Sequence, residues 1–137
     1  MYSKIMVPVD LTHADQLQKA LSTAADLAKF YNIPVCYVGV TAATPGSIAH
    51  NPDEYAGKLE AFAQDAAKKG GHEATALARV SHDPAADLNP TLLKAVEETG
   101  ADLVVMASHI PNIADHLWPS HGGQIASHSN ASVFVVR

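Results

Sequence analysis

Five short apolar runs recur along the chain without the alternation of a half-exposed strand, and helical periodicities separate them. They are Ile5-Met6-Val7-Pro8-Val9, Val35 to Val40, Ala74 to Val80, Ala101 to Met106 and Ser132 to Val136. Near-continuous runs rich in β-branched residues mark strands covered on both faces. The third is the weakest, because alanine favours helix over sheet. Helix-length segments rather than tight hairpins join the runs, so the crossovers are right-handed and the strands parallel. The expected fold is α/β, a five-stranded parallel open sheet with helices on both faces. With 137 residues, 47% of them apolar and 17% charged, the chain can bury one core and is short for two, so residues 1–137 read as a single domain.

The connecting segments carry their own punctuation. A helix is expected from about Thr12, with Asp15 as a capping-box acid, and Leu17, Ala20, Leu21, Ala24, Leu27, Ala28 and Tyr31 as its inner face. Asn32-Ile33-Pro34 ends it. Thr41 to Pro52 reads as a loop, and a second helix runs from Asp53 to Lys69 with Leu59, Phe62, Ala63 and Ala66 inward, closed by Gly70-Gly71. After a turn at His82-Asp83-Pro84, Pro90 suits the first turn of a third helix that runs through Leu92, Leu93, Val96 and Glu97 to Gly100. A short turn from Ala114 to Trp118 and a last helix from Ser120 to about Ser129 precede the final strand.

The formal charge of −5, from 9 Lys and Arg against 14 Asp and Glu, and the lack of any basic run argue against nucleic acid or an anionic membrane as partner. No apolar stretch approaches a membrane span, and Asp10 interrupts the first run too early for a secretory signal, so no membrane insertion and a cytoplasmic location are expected. Cys36 is the lone cysteine, in an apolar run, and reads as a small buried hydrophobe rather than a nucleophile.

In open parallel sheets ligands bind beyond the carboxyl ends of the strands, where the strand order reverses. The loops after Val9, Val40 and Met106 are therefore the ones to watch. Their residues resemble the universal stress protein family: Lys4-Ile5-Met6-Val7-Pro8-Val9-Asp10, Ala101 to Met106 followed by Ala107-Ser108-His109, and the terminal Val133-Phe134-Val135-Val136-Arg137. The Ala-Ser-His start, with Pro111 and Ile113 following, is similar to the short single-domain bacterial branch. The resemblance implies strand order 3-2-1-4-5, a homodimer joined through the last strand, a regulatory protein partner, and in many members an ATP or AMP site without metabolic chemistry. By family position Pro8, Val9 and Asp10 would line the adenine side and Val40 would flank the base. Met106, Ala107, Ser108, His109 and Ile110 would form the sugar and first phosphate loop. Pro119 and Ser120 would stand where a glycine and a hydroxyl residue begin the last helix, followed by His121 and Gly122.

The family's three phosphate-loop glycines correspond to Ala107, Ile110 and Pro119 here, and the spacing between the last two is one residue shorter. Backbone phosphate cradles need closely spaced amides, often at angles only glycine tolerates. Ile110 disfavours positive φ and Pro119 has no amide to offer. An anion could still meet the free donors near Ser120, His121 and Gly122. Ser120 reads first as a helix N-cap, and Gly122 and Gly123 as sites of close approach by a phosphate or by neighbouring backbone, or else as a loose first turn.

Asp10 follows a strand and invites a magnesium or catalytic role. A single carboxylate without a second acid at motif spacing favours loop bonding or base contact instead. His109, His116, His121 and His128 gather near the altered loop without a recognised zinc spacing, so they read as surface or capping histidines before a metal or pH-responsive site. Ser108-His109 lacks the glycine elbow of a nucleophile, and no catalytic residue is assigned. Trp118 reads as core or dimer contact. Val133 to Val136 would be an exposed apolar edge in a monomer, which independently favours pairing. Three readings follow: a dimeric regulatory module with weak or altered adenine-nucleotide binding, an interaction protein that binds no nucleotide, and a weak ATP or phosphoester hydrolase that would have to rely on Asp10 and His109.

Overall fold

The computed structural model describes residues 1–108 and 118–137, with residues 84–86 and 118–121 described by backbone alone. The elements are β1 (Ile5–Pro8), a 3-10 segment (Leu11–Leu17), α1 (Gln18–Tyr31), β2 (Val35–Ala42), α2 (Pro52–Gly70), β3 (Ala74–Ser81), α3 (Pro84–Thr99), β4 (Leu103–Ala107), α4 (Trp118–His128) and β5 (Ser132–Val136). All strand pairs are parallel, in the order β3-β2-β1-β4-β5, as the alternation of runs and the family resemblance imply.

Side-chain alternation divides the sheet into two buried faces. Ile5, Val7, Val35, Tyr37, Leu103 and Val105 meet α1 and α2, through Leu17, Ala20, Ala24, Ala28, Tyr55, Leu59 and Ala63. Met6, Cys36, Val38, Val104 and Met106 meet α3 and α4, through Leu92, Ala95, Val96 and Ile125. Burial on both sides explains why the strands read as unbroken apolar runs. The Cys36 thiol is buried and free, and burial pushes its pKa up against a weaker opposing bond from Thr75, so it is a packed hydrophobe held away from its reactive thiolate form.

Several boundaries differ from the sequence expectation, each for a local reason. The first helix begins at Gln18 rather than Thr12, because the Asp10 carboxylate, not Thr12, caps the segment by accepting from the Thr12 amide. His13 then departs from helical angles at φ −121° and ψ 28°, and the chain winds as a 3-10 segment until Leu17 is buried. Asn32 ends α1 in the left-handed conformation at φ 55° and ψ 54°, one of the few side chains that enter that region readily. β2 runs two residues past Val40, because pairing with β3 continues through Thr41↔Val80 and Ala42↔Ser81.

Asn51 caps α2 from outside, its side chain accepting from the Glu54 amide at 2.8 Å, with Pro52 at the first helical position. α3 starts six residues before Pro90, so that proline lies inside the helix. Pro84 takes the first-turn place that Pro90 was expected to fill, and the Asp87 amide reaches back to the Asp83 carbonyl at 2.9 Å. Gly100 closes α3 at φ +70°. β4 begins at Leu103, because Asp102 turns its carboxylate to the Ser3 and Lys4 amides at 3.0–3.1 Å. α4 starts at Trp118, which puts Ser120 third in the helix rather than at its N-cap. The expected turn from Ala114 falls, up to Trp118, outside the described residues.

Candidate functional site

The strand order reverses at β1, whose neighbours are β2 on one side and β4 on the other. From β1 the chain passes into α1 on one face, and α4, which precedes β5, covers the other. The crevice outside a parallel sheet opens where successive connections part in this way. Pro8 is the last residue of β1, opposite Val38. It is a position where a missing amide costs the ladder little. Val9 is buried and donates its amide to the Val38 carbonyl at 2.8 Å.

Asp10 follows the end of β1 with both carboxylate oxygens engaged. Oδ1 accepts from the Thr12 amide at 3.0 Å, and Oδ2 lies 3.0 Å from His13 Nδ1, with the two side chains 34% and 27% exposed. The Asp10 carbonyl also accepts from the His13 amide at 3.0 Å. These bonds leave the carboxylate little freedom to turn toward a metal or a reacting phosphate. Tyr55 lies behind it: burial, and next the Asp10 charge, push the Tyr55 hydroxyl up to about 12. Sequence reading missed both His13 and Tyr55. The Asp-x-x-His spacing within one turn was a usable signal for the first. For the second, the only trace is Gly39 in the middle of a strand, where an added Cβ would press on the Tyr55 ring.

On the α3 and α4 face, Val40 is half-buried and packs against the core of that face, and Met106 is 1% exposed. Ala107 is the last residue of β4, and the Ser108 amide donates to the Val136 carbonyl at 2.8 Å, extending the β4–β5 ladder by one bond. Gly122 approaches this strand pair closely: an added Cβ would lie 3.2 Å from Val135 Cγ2 and 3.6 Å from Met106 Sδ. Its lack of a side chain therefore serves packing of α4 on the sheet. Gly123 meets nothing within 4 Å.

Pro8, Val9 and Asp10 thus share the end of β1, while Met106 and Gly122 pack together one strand over. His109 and Ile110 lie outside the described residues, as does His116. Ser120 and His121 are third and fourth in α4. Of the first four residues of that helix, only Pro119 lacks an amide to present. His128, at the other end of the helix, donates from Nδ1 to the Gln124 carbonyl at 3.0 Å, which is a capping role. Among the described residues no group of three or more His, Cys, Asp or Glu is arranged to hold a metal ion, and no helix is long and apolar enough to cross a membrane.

β5 is one edge of the sheet, and Phe134 and Val135 on it are 45% and 42% exposed. Tyr2 is tied to this edge through its hydroxyl, 2.9 Å from Ser132 Oγ.

This architecture has many counterparts among solved structures. A universal stress protein from Archaeoglobus fulgidus superposes with a TM-score of 0.70 at 20% identity, over 100% of both chains. A universal stress protein in complex with cAMP gives 0.72 at 21% identity, over 99% of this chain and 97% of the other. The A. fulgidus protein in complex with dAMP gives 0.68 at 20% identity, over 99% and 98%. At these identities the likeness is one of fold. In sequence, universal stress protein G of Shigella flexneri and of Escherichia coli O157:H7 are each 27% identical over 150 aligned positions, covering 100% of both chains. The profile of the universal stress protein family matches residues 1–137. With that match spanning every element from β1 to β5, the chain belongs to the universal stress protein family.

Proposed function

We propose that this protein is a dimeric regulatory module that binds an adenine nucleotide weakly at the crevice between β1 and β4, and that it acts through conformation or a protein partner rather than turnover. The observation that carries the reading is the reversal of strand order at β1, which leaves the ends of β1, β2 and β4 around one crevice. Fold relatives in complex with cAMP and dAMP support a nucleotide as the ligand class. In this reading the base lies against Pro8, Val9 and Asp10 with Val40 beside it. The sugar and first phosphate lie by Met106, Ala107 and His109, near the amides of Ser120, His121 and Gly122.

The residues fit a nucleoside with one phosphate better than a triphosphate. Pro119 removes an amide from the first turn of α4, and the close side of Gly122 is taken by Val135 and Met106. The Asp10 carboxylate is held by Thr12 and His13, which leaves no free acid in the described crevice to position a magnesium ion or a hydrolytic water. When bound, the nucleotide supplies charge and shape rather than a reacting bond.

Calorimetric titration with AMP, cAMP and ATP tests the reading. The expected result is binding near the millimolar level, about −4 kcal/mol, with AMP and ATP within about threefold of each other because the outer phosphates find few amides. No heat at millimolar nucleotide refutes nucleotide binding, and ATP binding a hundredfold tighter than AMP refutes the account of the altered loop. The β5 edge, with Phe134 and Val135 exposed, supports the dimer. Charged replacements at both positions are expected to give a monomer by sedimentation.

One observation favours a second reading, an interaction module without nucleotide. Gly122, read from sequence as a site of close approach by a phosphate or by neighbouring backbone, makes its close approach to Val135 and Met106.

A further inference from the structure

Among the described residues a single buried side-chain nitrogen or oxygen lacks a hydrogen-bond partner, and it is Nδ1 of His72. His72 follows Gly71, which ends α2 in the left-handed conformation at φ 70° and ψ 40°, and it leads into β3. Its other ring nitrogen, Nε2, lies 2.9 Å from the Tyr37 hydroxyl. Tyr37 is fully buried in the sheet, and burial pushes its hydroxyl up to about 12, so it meets the imidazole as a neutral phenol. The ring sits in a notch made by a glycine. A Cβ added to Gly70 would come within 2.6 Å of His72 Nδ1, 2.7 Å of its Cε1 and 2.8 Å of Ala25 Cβ. On its outer side His72 lines an open cleft of about 580 Å³ at the amino ends of the strands, together with Lys29, Asn32, Pro34 and Glu73.

A neutral imidazole fits this seat with one unmet nitrogen. A protonated one does not. Both nitrogens of the cation must donate; Tyr37 can accept one bond, and the second N–H faces the Gly70–Ala25 contact. The Gly70 backbone favours the charged ring, but burial outweighs it, and Nδ1 makes no hydrogen bond. The charged groups around the ring add to the asymmetry. Lys29 from α1 faces the same cleft, paired loosely with Asp26 at 3.8 Å. On α2, Lys69 is held by Asp65 at 3.0 Å, and both line the neighbouring groove between the helices. Glu73, exposed on the cleft next to His72, is the carboxylate that a displaced imidazolium would meet.

We propose that the Tyr37–His72 pair is a proton-operated latch at the junction of α2 and β3. Neutral, His72 is seated against Tyr37 and closes the junction. Protonated, it swings into the cleft beside Glu73, leaves the Tyr37 hydroxyl unpaired and loosens the backbone that it anchors. That backbone is held by the Gly71 amide to Ala67 at 2.8 Å, the His72 amide to Ala67 at 3.3 Å and the Val35 amide to Glu73 at 2.9 Å. The direction of titration agrees: burial, with Lys29 adding to it, lowers the His72 pKa from its ordinary value of 6.5 against the partial help of Gly70. A folded-state value below the ordinary one means that stability is present above the ordinary range and is lost as pH falls through it.

The test is amide hydrogen exchange on the whole protein at pH 7.5 and 5.5, corrected for intrinsic rates and combined with NMR titration of the His72 and Tyr37 ring signals. Protection at Gly71, His72 and Val35 should fall, by at most about tenfold, the limit set by an open form with an ordinary histidine one pH unit below 6.5. Val105 in β4 should keep its protection. In His72→Phe the loss at pH 5.5 should vanish, and in the wild type the Tyr37 ring signals should follow the His72 midpoint. An equal loss of protection in His72→Phe, or His72 titrating with no response from Tyr37 and no change in exchange, overturns the latch. If His72→Phe does not fold, the wild-type titration decides by the same criterion.

Discussion

Gly39→Ala should destabilise this protein even though alanine suits a strand better than glycine does. The added Cβ would lie 3.0 Å from Tyr55 Cε1 and 3.1 Å from Tyr55 Cζ, with the hydroxyl oxygen closer than either. Tyr55 is 5% exposed and packed in the core beneath α2, so its ring cannot retreat into solvent. Forcing a methyl into a filled core costs about 1–3 kcal/mol, and the lower backbone entropy of alanine in the unfolded chain returns about 0.5–1 kcal/mol. The expected net loss is about 1.5 kcal/mol, which for a chain of this length is a fall of about 5 °C in Tm. Urea denaturation followed by circular dichroism gives the number directly, as a lower midpoint at unchanged slope. The attribution is tested by a double-mutant cycle with Tyr55→Phe, which removes the closest atom and leaves the ring. Gly39→Ala should cost less in that background, by about 0.5–1 kcal/mol. An unchanged midpoint in the single variant, or equal cost in both backgrounds, would refute the steric account.

Asp102→Asn should cost about 1–2 kcal/mol at neutral pH, because the carboxylate accepts from the Ser3 and Lys4 amides and the Ser3 hydroxyl and so ties the chain's start to β4. Burial works against its ionisation, but those bonds outweigh it and hold its pKa below the ordinary 3.8. The difference between wild type and Asp102→Asn should therefore be constant above that value and shrink as pH falls through the lower folded-state value, read from urea midpoints across acid pH. Gly123→Ala, in open space on α4, should stabilise by about 0.5–1 kcal/mol, whereas the same change at Gly122, 3.2 Å from Val135 Cγ2, should gain nothing, by thermal melts of the two variants.

The fold was legible because each buried strand announces itself twice, by its unbroken apolar run and by the punctuated segment that follows. Strand boundaries were less so. Val40 looked like the end of β2, yet the ladder with β3 continues to Ala42, and a ladder ends where its partner does. Pro90 looked like a first-turn proline because that is where proline is cheapest, but Pro84 occupied the position first and the helix tolerated a second one six residues in.

The candidate site divides in the same way. Pro8, Val9 and Asp10 could be located at a strand end from sequence, since the run of apolar residues stops there. Of the partners around Asp10, His13 left a local signal in the Asp-x-x-His spacing and Tyr55 only the trace of Gly39. His13 is three residues away, and its contact depends on the chain winding as a 3-10 segment rather than the expected α-helix. Tyr55 comes from α2, 45 positions along the chain, and reaches the back of β1 only because Gly39 leaves room for it.

By itself, then, the order of apolar runs and helical periods determined a parallel α/β sheet, since hydrophobic burial needs only the pattern of side chains along each element. Only the tertiary structure decided what surrounds each polar group: that the Asp10 carboxylate is held by Thr12 and His13, that Gly122 serves Val135 and Met106, and that His72 is seated on Tyr37 with one nitrogen unmet. Hydrogen bonds and steric fit act over a few ångströms: Tyr37 with His72 and Gly122 with Val135 join residues distant in sequence that no local pattern pairs, and the Asp10 contacts follow from a 3-10 winding that the apolar pattern does not set.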